Sequence, residues 1–354
     1  MSIVVQVDGL GIVYERDPDV GRIPASTQKI YVAGVALLRL GPDYRYSTEV
    51  RPSTLVGADG VLHGDLVLRA SGDPSFGAAG LNTLAAGVAQ GGVKSVTGSL
   101  VLDDSRFDVR TGVDSWKPSF SPGEVGLLDA LAVDGNHRRD PDAGLSNLER
   151  FRAALVAKGI QVAGGSRRGV LGDGGPVLAT ARSAPLRELV SHLLKKSDNT
   201  YAELLLKEVG STGSVGTTAG GVAAVAKEFA RFGLAPPVQV DGSGLSSANR
   251  SSARLQVQWL LRLAASPVAA DLRSALPIAC VDGTLRSRMC KTAAAAKVMA
   301  KTGALDNVAG ISGYTTTGSG RAVTFSMLFN DVPATSRARN AADQALVAID
   351  ASTV

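Results

Sequence analysis

A serine stands three residues before a lysine in Ser26-Thr27-Gln28-Lys29. A Ser-Asp-Asn cluster follows at Ser197-Asp198-Asn199, and a Lys-Thr-Gly triplet closes the series at Lys301-Thr302-Gly303. A serine hydroxyl is a weak nucleophile at its ordinary pKa and needs an adjacent base. Residues three apart on a helix share a face, which puts the Lys29 amine within reach of the Ser26 hydroxyl. Burial favours the neutral amine and brings such a lysine toward the working range of a general base. A serine in the first helical turn also keeps its own N–H out of the helical ladder, free to act as an oxyanion donor. Singly, each motif has an ordinary explanation. Ser26 reads as a helix cap with Lys29 snorkelling, residues 197–199 as a capping segment, and Lys301 as a charge that protects a strand edge. The ordered triple S-x-x-K, S-D-N, K-T-G argues against three coincidences: it supplies a nucleophile with its lysine, a second polar cluster and a cationic strand for a carboxylate.

The elements around the motifs must bring the two ends of the chain together. The Ser26 segment opens a helix that runs to Leu38 and stops at Gly41-Pro42, both helix-ending signals. Its apolar residues cover almost every face, the mark of a helix buried within a domain. Ser197 to Asn199 lie between the helical patterns 185–196 and 201–206, and Lys301 to Gly303 end a strand pattern over 297–302. Gly303 is expected to let substrate backbone approach that strand. Runs 2–7 and 11–15 around Asp8-Gly9 predict a hairpin. Strands over 297–302, 309–316 and 321–330 and a helix over 336–349 follow at the other end. An antiparallel sheet drawn from both termini, with the Ser26 helix packed on it, would place residue 26 beside residue 301. Residues 49–182 alternate short Val/Leu strands with Gly-Asp turns and are expected to form one inserted smaller domain, leaving 1–48 and 183–354 as the main domain. The class is α/β in the broad sense and α+β in detail, and 354 residues suit two domains.

Composition narrows the functions. The net charge of +5 is spread along the chain, without the clustering a nucleic-acid surface needs. No apolar run reaches the length of a membrane span. The start at Met1-Ser2-Ile3 lacks a charged and then apolar leader, so an export signal is expected to have been removed ahead of it. Cys280 and Cys290 are the two cysteines; a disulfide across a short loop and a pair of free thiols both remain open. His63, His137 and His192 fall in unrelated contexts, with no metal-binding spacing, and no cofactor or metal is expected.

The chain resembles the low-molecular-mass class C penicillin-binding proteins, the D-alanyl-D-alanine carboxypeptidase/endopeptidase family. Besides the triple, the stretches Gly64-Asp65-Leu66-Val67-Leu68, Gly72-Asp73-Pro74, Gly98-Ser99-Leu100-Val101-Leu102-Asp103-Asp104-Ser105-Arg106-Phe107, Asp241-Gly242-Ser243-Gly244-Leu245-Ser246, Asp282-Gly283-Thr284-Leu285 and Ile311-Ser312-Gly313-Tyr314 are similar to family stretches. The resemblance implies a penicillin-binding, serine β-lactamase-like transpeptidase domain with an antiparallel sheet flanked by helices. It implies that Ser26 is acylated, that Lys29 accepts its proton, and that Ser197 and Asn199 form the second cluster. Lys301 and Thr302 would anchor the substrate's terminal carboxylate, with the N–H of Ala304 as second oxyanion donor. Substrates would be peptidoglycan peptides, inhibitors would be β-lactams, and the place of action would be outside the cytoplasmic membrane.

Three departures stand out. Ala304 occupies a position usually held by Ser or Thr, Trp116 lacks the acidic residue that usually follows it closely although it is expected to line the cleft, and a nested β-rich module after Asn136 is expected to be missing. A serine β-lactamase, an esterase of the same fold and an inactive wall-binding protein are the alternatives. The first needs a deacylating Glu-x-x-Leu-Asn that the sequence lacks, and intact Ser26 and Lys29 weigh against the last.

Overall fold

The computed structural model describes residues 1–170, 175–211 and 213–353. The expected hairpin forms from Ser2–Val7 and Gly11–Arg16. Ser2–Val7 also pairs antiparallel with Ala322–Phe329, completing a five-stranded sheet in the order Met299–Leu305, Val308–Thr316, Ala322–Phe329, Ser2–Val7, Gly11–Arg16. Alternate side chains of a strand point to opposite faces, and helices cover both faces here. Ile3, Val5 and Val7 pack with Ala338, Ala342 and Leu346 of the C-terminal helix Thr335–Ala351, while Val4 meets Ala253 and Val257 of the helix Ala253–Ala264. Two covered faces explain why this N-terminal strand is apolar almost throughout.

The Ser26 segment is a short 3₁₀ turn, Ala25–Gln28, that runs on into the α-helix Lys29–Leu40 and ends at Gly41 with φ 85°. Every residue from Lys29 to Leu37 is buried. The helix packs among Leu186–Lys196, Asn199–Val209, Thr218–Arg231 and Ala253–Ala264, whose apolar residues share one core with it. Trp259 stacks on Phe229 at 4.3 Å between ring centres, and Tyr31 meets Phe229 edge-on at 5.1 Å.

Between Ser47 and Arg182 lies a second sheet in the order Ala179–Arg182, Ser47–Pro52, Leu66–Arg69, Leu100–Asp103, Ser166–Arg168. Its strands are not joined by turns alone. Leu66–Arg69, Leu100–Asp103 and Ser166–Arg168 run parallel. Parallel neighbours require crossovers, and the helices Ala78–Gln90 and Ala143–Val156 supply them. The first of these helices was absent from the sequence reading. A small parallel sheet of Val61–Leu62, Ser95–Val96 and Gln161–Val162 extends the unit, and after Asn136 six residues lead into Ala143–Val156. Cys280 and Cys290 are joined as a disulfide.

Candidate active site

Ser26 sits in a turn gripped from two sides. Ala25, buried and not a glycine, holds φ 47°, a left-handed backbone that costs free energy and persists only where its surroundings enforce it. The enforcement is visible at two glycines. A Cβ at Gly244, whose φ is 82°, would stand 2.0 Å from the Ala25 carbonyl oxygen, and a Cβ at Gly303 would stand 3.1 Å from the Ser26 nitrogen and 2.8 Å from the Pro24 oxygen. Gly303 is therefore not open to substrate, as the sequence reading had it. It is buried and pressed on the Ser26 turn.

Lys29 is completely buried. Its Nζ lies 2.8 Å from Ser26 Oγ, 2.7 Å from Asn199 Oδ1 and 2.6 Å from the Ser243 carbonyl oxygen. The three partners account for all three ammonium protons. Burial pulls its pKa down to about 8, partly opposed by Asp241, Glu203 and Asp198. The neutral amine has two protons and one lone pair. Two of its partners are oxygens that can only accept, so those take the protons, and the lone pair is left facing Ser26 Oγ, the one neighbour able to donate. Asn199 Nδ2 donates to the Glu124 carbonyl oxygen at 2.8 Å, which holds the amide with its oxygen toward Lys29.

Ser197 ends the helix Leu186–Lys196 with φ 59°, and Asp198 caps Asn199–Val209 by accepting from the Tyr201 N–H at 3.0 Å. This reversal between helices carries Ser197 and Asn199 to the same cleft. Asp198 also meets His192 Nε2 at 3.1 Å, and the imidazole stacks on Tyr201 at 4.2 Å. One histidine of the three is thus tied to the second motif, a link that sequence spacing did not reveal.

Lys301 lies on the edge strand, as expected, but it is not solvated there: its side chain is completely buried. Its Nζ donates to Ser197 Oγ at 2.9 Å and to the Thr302 carbonyl oxygen at 2.7 Å. Burial, and then repulsion from Lys29, hold it well below the usual lysine range. The strand presents Thr302 and Ala304 to the cleft and turns Lys301 and Gly303 inward. Trp116 is the other correction. It does not line the cleft; it packs in the core of the second sheet, and its indole N–H donates to Asp241 Oδ2 at 2.9 Å.

Asp241, Glu203 and Ser243 carry more of the site than their sequence contexts announced. Asp241 is completely buried and accepts from Gln28 Nε2, Gly244 N and Asn249 Nδ2 at Oδ1 and from Trp116 Nε1 and Ser246 N at Oδ2. Glu203, also buried, accepts from the Gly242 and Ser243 N–H groups. Together they hold the loop whose Ser243 carbonyl contacts Lys29. Burial first, and Asp241 second, push the Glu203 carboxyl upward. One signal was available: Glu203 follows Asn199 by four residues and so shares its helix face.

The cleft encloses about 610 Å³, and its walls include Ser26, Ser197, Asn199, Thr284, Thr302 and Ala304. Another hollow, of about 520 Å³ beside Arg69 and Arg106, contains none of the three motifs; those arginines pair with Asp103 and Glu208. Among the described residues no His/Cys/Asp/Glu cluster has the makings of a metal site, and no helix is long and apolar enough to cross a membrane.

The model of the D-Ala-D-Ala carboxypeptidase 3 (S13) family matches residues 1–125 and 128–352. The chain belongs to that family. A D-alanyl-D-alanine carboxypeptidase of Actinomadura sp. is 30% identical over 393 residues, spanning 85% of this chain and 72% of that protein. The carboxypeptidase DacB of Mycolicibacterium smegmatis is 31% identical over 350 residues, spanning 92% and 75%. The crystal structure of penicillin binding protein 4 from Haemophilus influenzae matches with a TM-score of 0.87 at 22% identity, covering 94% of this chain and 90% of that one. A second structure of that protein, complexed with a novel β-lactam, matches with a TM-score of 0.79 at 25% identity over the same shares. The α/β fold, with an antiparallel main sheet flanked by helices, is therefore the penicillin-binding fold.

Proposed function

We propose that this carboxypeptidase-family chain is a serine D-alanyl-D-alanine carboxypeptidase of peptidoglycan stem peptides, working through an ester on Ser26. The observation that carries the reading is the Lys29 amine, whose neutral form has its lone pair aimed at Ser26 Oγ. In that form Lys29 takes the Ser26 proton as the oxygen attacks the penultimate D-Ala carbonyl. The developing oxyanion is met by the N–H groups of Ser26 and Ala304. The terminal carboxylate binds above Lys301, beside the Thr302 hydroxyl. In the empty cleft Lys301 resists its charge, and an arriving carboxylate compensates the burial and restores it. Ser197, bonded to Lys301, and Asn199, bonded to Lys29, link the two lysines to one wall. As the tetrahedral intermediate collapses its C–N bond breaks, and the terminal D-Ala leaves as an amine that takes up the proton held by Lys29. Water then hydrolyses the ester, releasing the shortened peptide and restoring the Ser26 hydroxyl. The same attack on a D-Ala cross-link would make the enzyme an endopeptidase, and β-lactams enter as mimics of the D-Ala-D-Ala end.

The place of action is the cell wall, outside the cytoplasmic membrane. The residues 49–182 form a unit that carries no nucleophile of its own.

Intact-protein mass spectrometry after incubation with penicillin tests the reading. One adduct is expected on the wild type and none on Ser26→Ala. An unmodified wild type, or a labelled Ser26→Ala protein, overturns it.

A further inference from the structure

We propose that Thr284 is a second hydroxyl that reads the substrate carboxylate, presented beside Thr302 by the loop that the Cys280–Cys290 disulfide closes. The inference rests on the acyl-enzyme reading above and adds a residue to its substrate-binding half. Thr302 Oγ1 donates to Thr284 Oγ1 at 2.8 Å, and both residues line the cleft. The Thr302 proton is thereby engaged. A hydroxyl that accepts one bond keeps its own proton to give, so in the empty cleft the donor ready for an incoming carboxylate oxygen is that of Thr284. The edge strand cannot supply another, because its next cleft-facing residue is Ala304.

Thr284 is held where it stands. It is the middle residue of a 3₁₀ turn, Gly283–Leu285, whose Leu285 is completely buried. The preceding Asp282 accepts from the Ile278 N–H at 2.9 Å and pairs with Lys195 at the end of the helix that leads to Ser197. The disulfide joins residues ten apart, with Thr284 inside the closed segment. The turn is thus tied by a side chain on its inner face, by an ion pair to the helix that carries the second motif, and by a covalent bond across its base. A donor fixed in advance loses little entropy on binding, which favours a specificity role over a chance contact.

The test compares kcat/KM for a D-Ala-D-Ala peptide with that for its C-terminal amide, in the wild type, Thr284→Val and Thr284→Ser. Penicillin labelling of Ser26 is recorded for each. Thr284→Val, of the same shape without the hydroxyl, should lower kcat/KM for the acid by about 10- to 100-fold, the usual worth of a hydrogen bond to a charged group, and that for the amide, whose neutral oxygen makes a weaker bond, by much less. Thr284→Ser should keep the wild-type preference. A wild type that forms no ester sinks the acyl-enzyme reading and this proposal with it. Normal labelling together with an unchanged acid preference in Thr284→Val, or an equal loss on acid and amide, sinks this proposal alone.

Discussion

Gly303 and Ser26 meet backbone to backbone: a methyl group on the glycine would stand 3.1 Å from the serine nitrogen. The edge strand and the Ser26 turn are therefore set by contact, and the proposed oxyanion site between them is no wider than that contact allows. The nearest obstacle to a Cβ is the Pro24 carbonyl oxygen at 2.8 Å, a backbone atom that cannot swing aside as a side chain would.

Gly303→Ala should accordingly displace the turn and slow acylation of Ser26 by about 100-fold, the order of loss expected when a reacting group moves by about 1 Å. Stopped-flow acylation with a chromogenic β-lactam reads the rate. A variant that acylates at the wild-type rate would show that the turn does not need this contact.

The pH profile should follow Lys29. On the proposed reading its active form is the neutral amine, and its pKa is lowered to about 8, so kcat/KM for acylation should rise with pH through about 8 and then level off. Lys29→Ala should lose about 10²–10⁴-fold and the rising limb with it. Glu203 raises the Lys29 pKa through its charge. Glu203→Gln keeps an accepting oxygen for the loop N–H groups but removes that charge, so the rising limb should move to lower pH. A limb that stays in place, or moves upward, contradicts the assignment of Lys29 as base.

Asp241 accepts five side-chain and backbone donors in the interior. Asp241→Ala leaves the Gly244, Ser246 and Trp116 N–H groups without an acceptor, while Gln28 and Asn249 keep the Asp241 and Ser246 carbonyl oxygens. It should cost at least about 3 kcal/mol in urea unfolding, since one buried unsatisfied donor already costs about 1–3 kcal/mol. Trp116→Phe withdraws one donor and should cost far less. Equal losses in the two variants would mean that packing of the indole, and not the Asp241 cluster, dominates.

The main sheet and the three motifs were legible because both rest on local pattern. Strands of the N- and C-terminal segments show runs of Val, Ile and Phe bounded by turn residues, and the motif residues carry their chemistry in their types. The helix Ala78–Gln90 was not legible, because Gly80 and Gly87 read as breakers. In the fold they make room instead: a Cβ at Gly80 would stand 2.5 Å from the Phe76 ring and one at Gly87 2.7 Å from Ala179 Cβ. Packing overrode propensity there. Lys301 misled in the opposite sense. An edge strand reads as solvated, but this edge is covered by the nucleophile turn and Ser197. Trp116 was placed in the cleft by the family resemblance, whereas the acceptor that claims its indole N–H lies 125 residues away.

The pairing of Ser2–Val7 with Ala322–Phe329 also sets a clock. A ribosome delivers the first strand long before its partner, so throughout synthesis the N-terminal hairpin has no sheet to join, and the Ser26 turn lacks the strand that shapes it. The segment between Ser47 and Arg182 has its own strands and crossovers and can organise before the two ends of the chain meet. On the reading proposed above, Ser26 is shaped for attack only once Met299–Leu305 and Ala322–Phe329 have joined the sheet, so covalent labelling by a β-lactam requires that these distant segments have met.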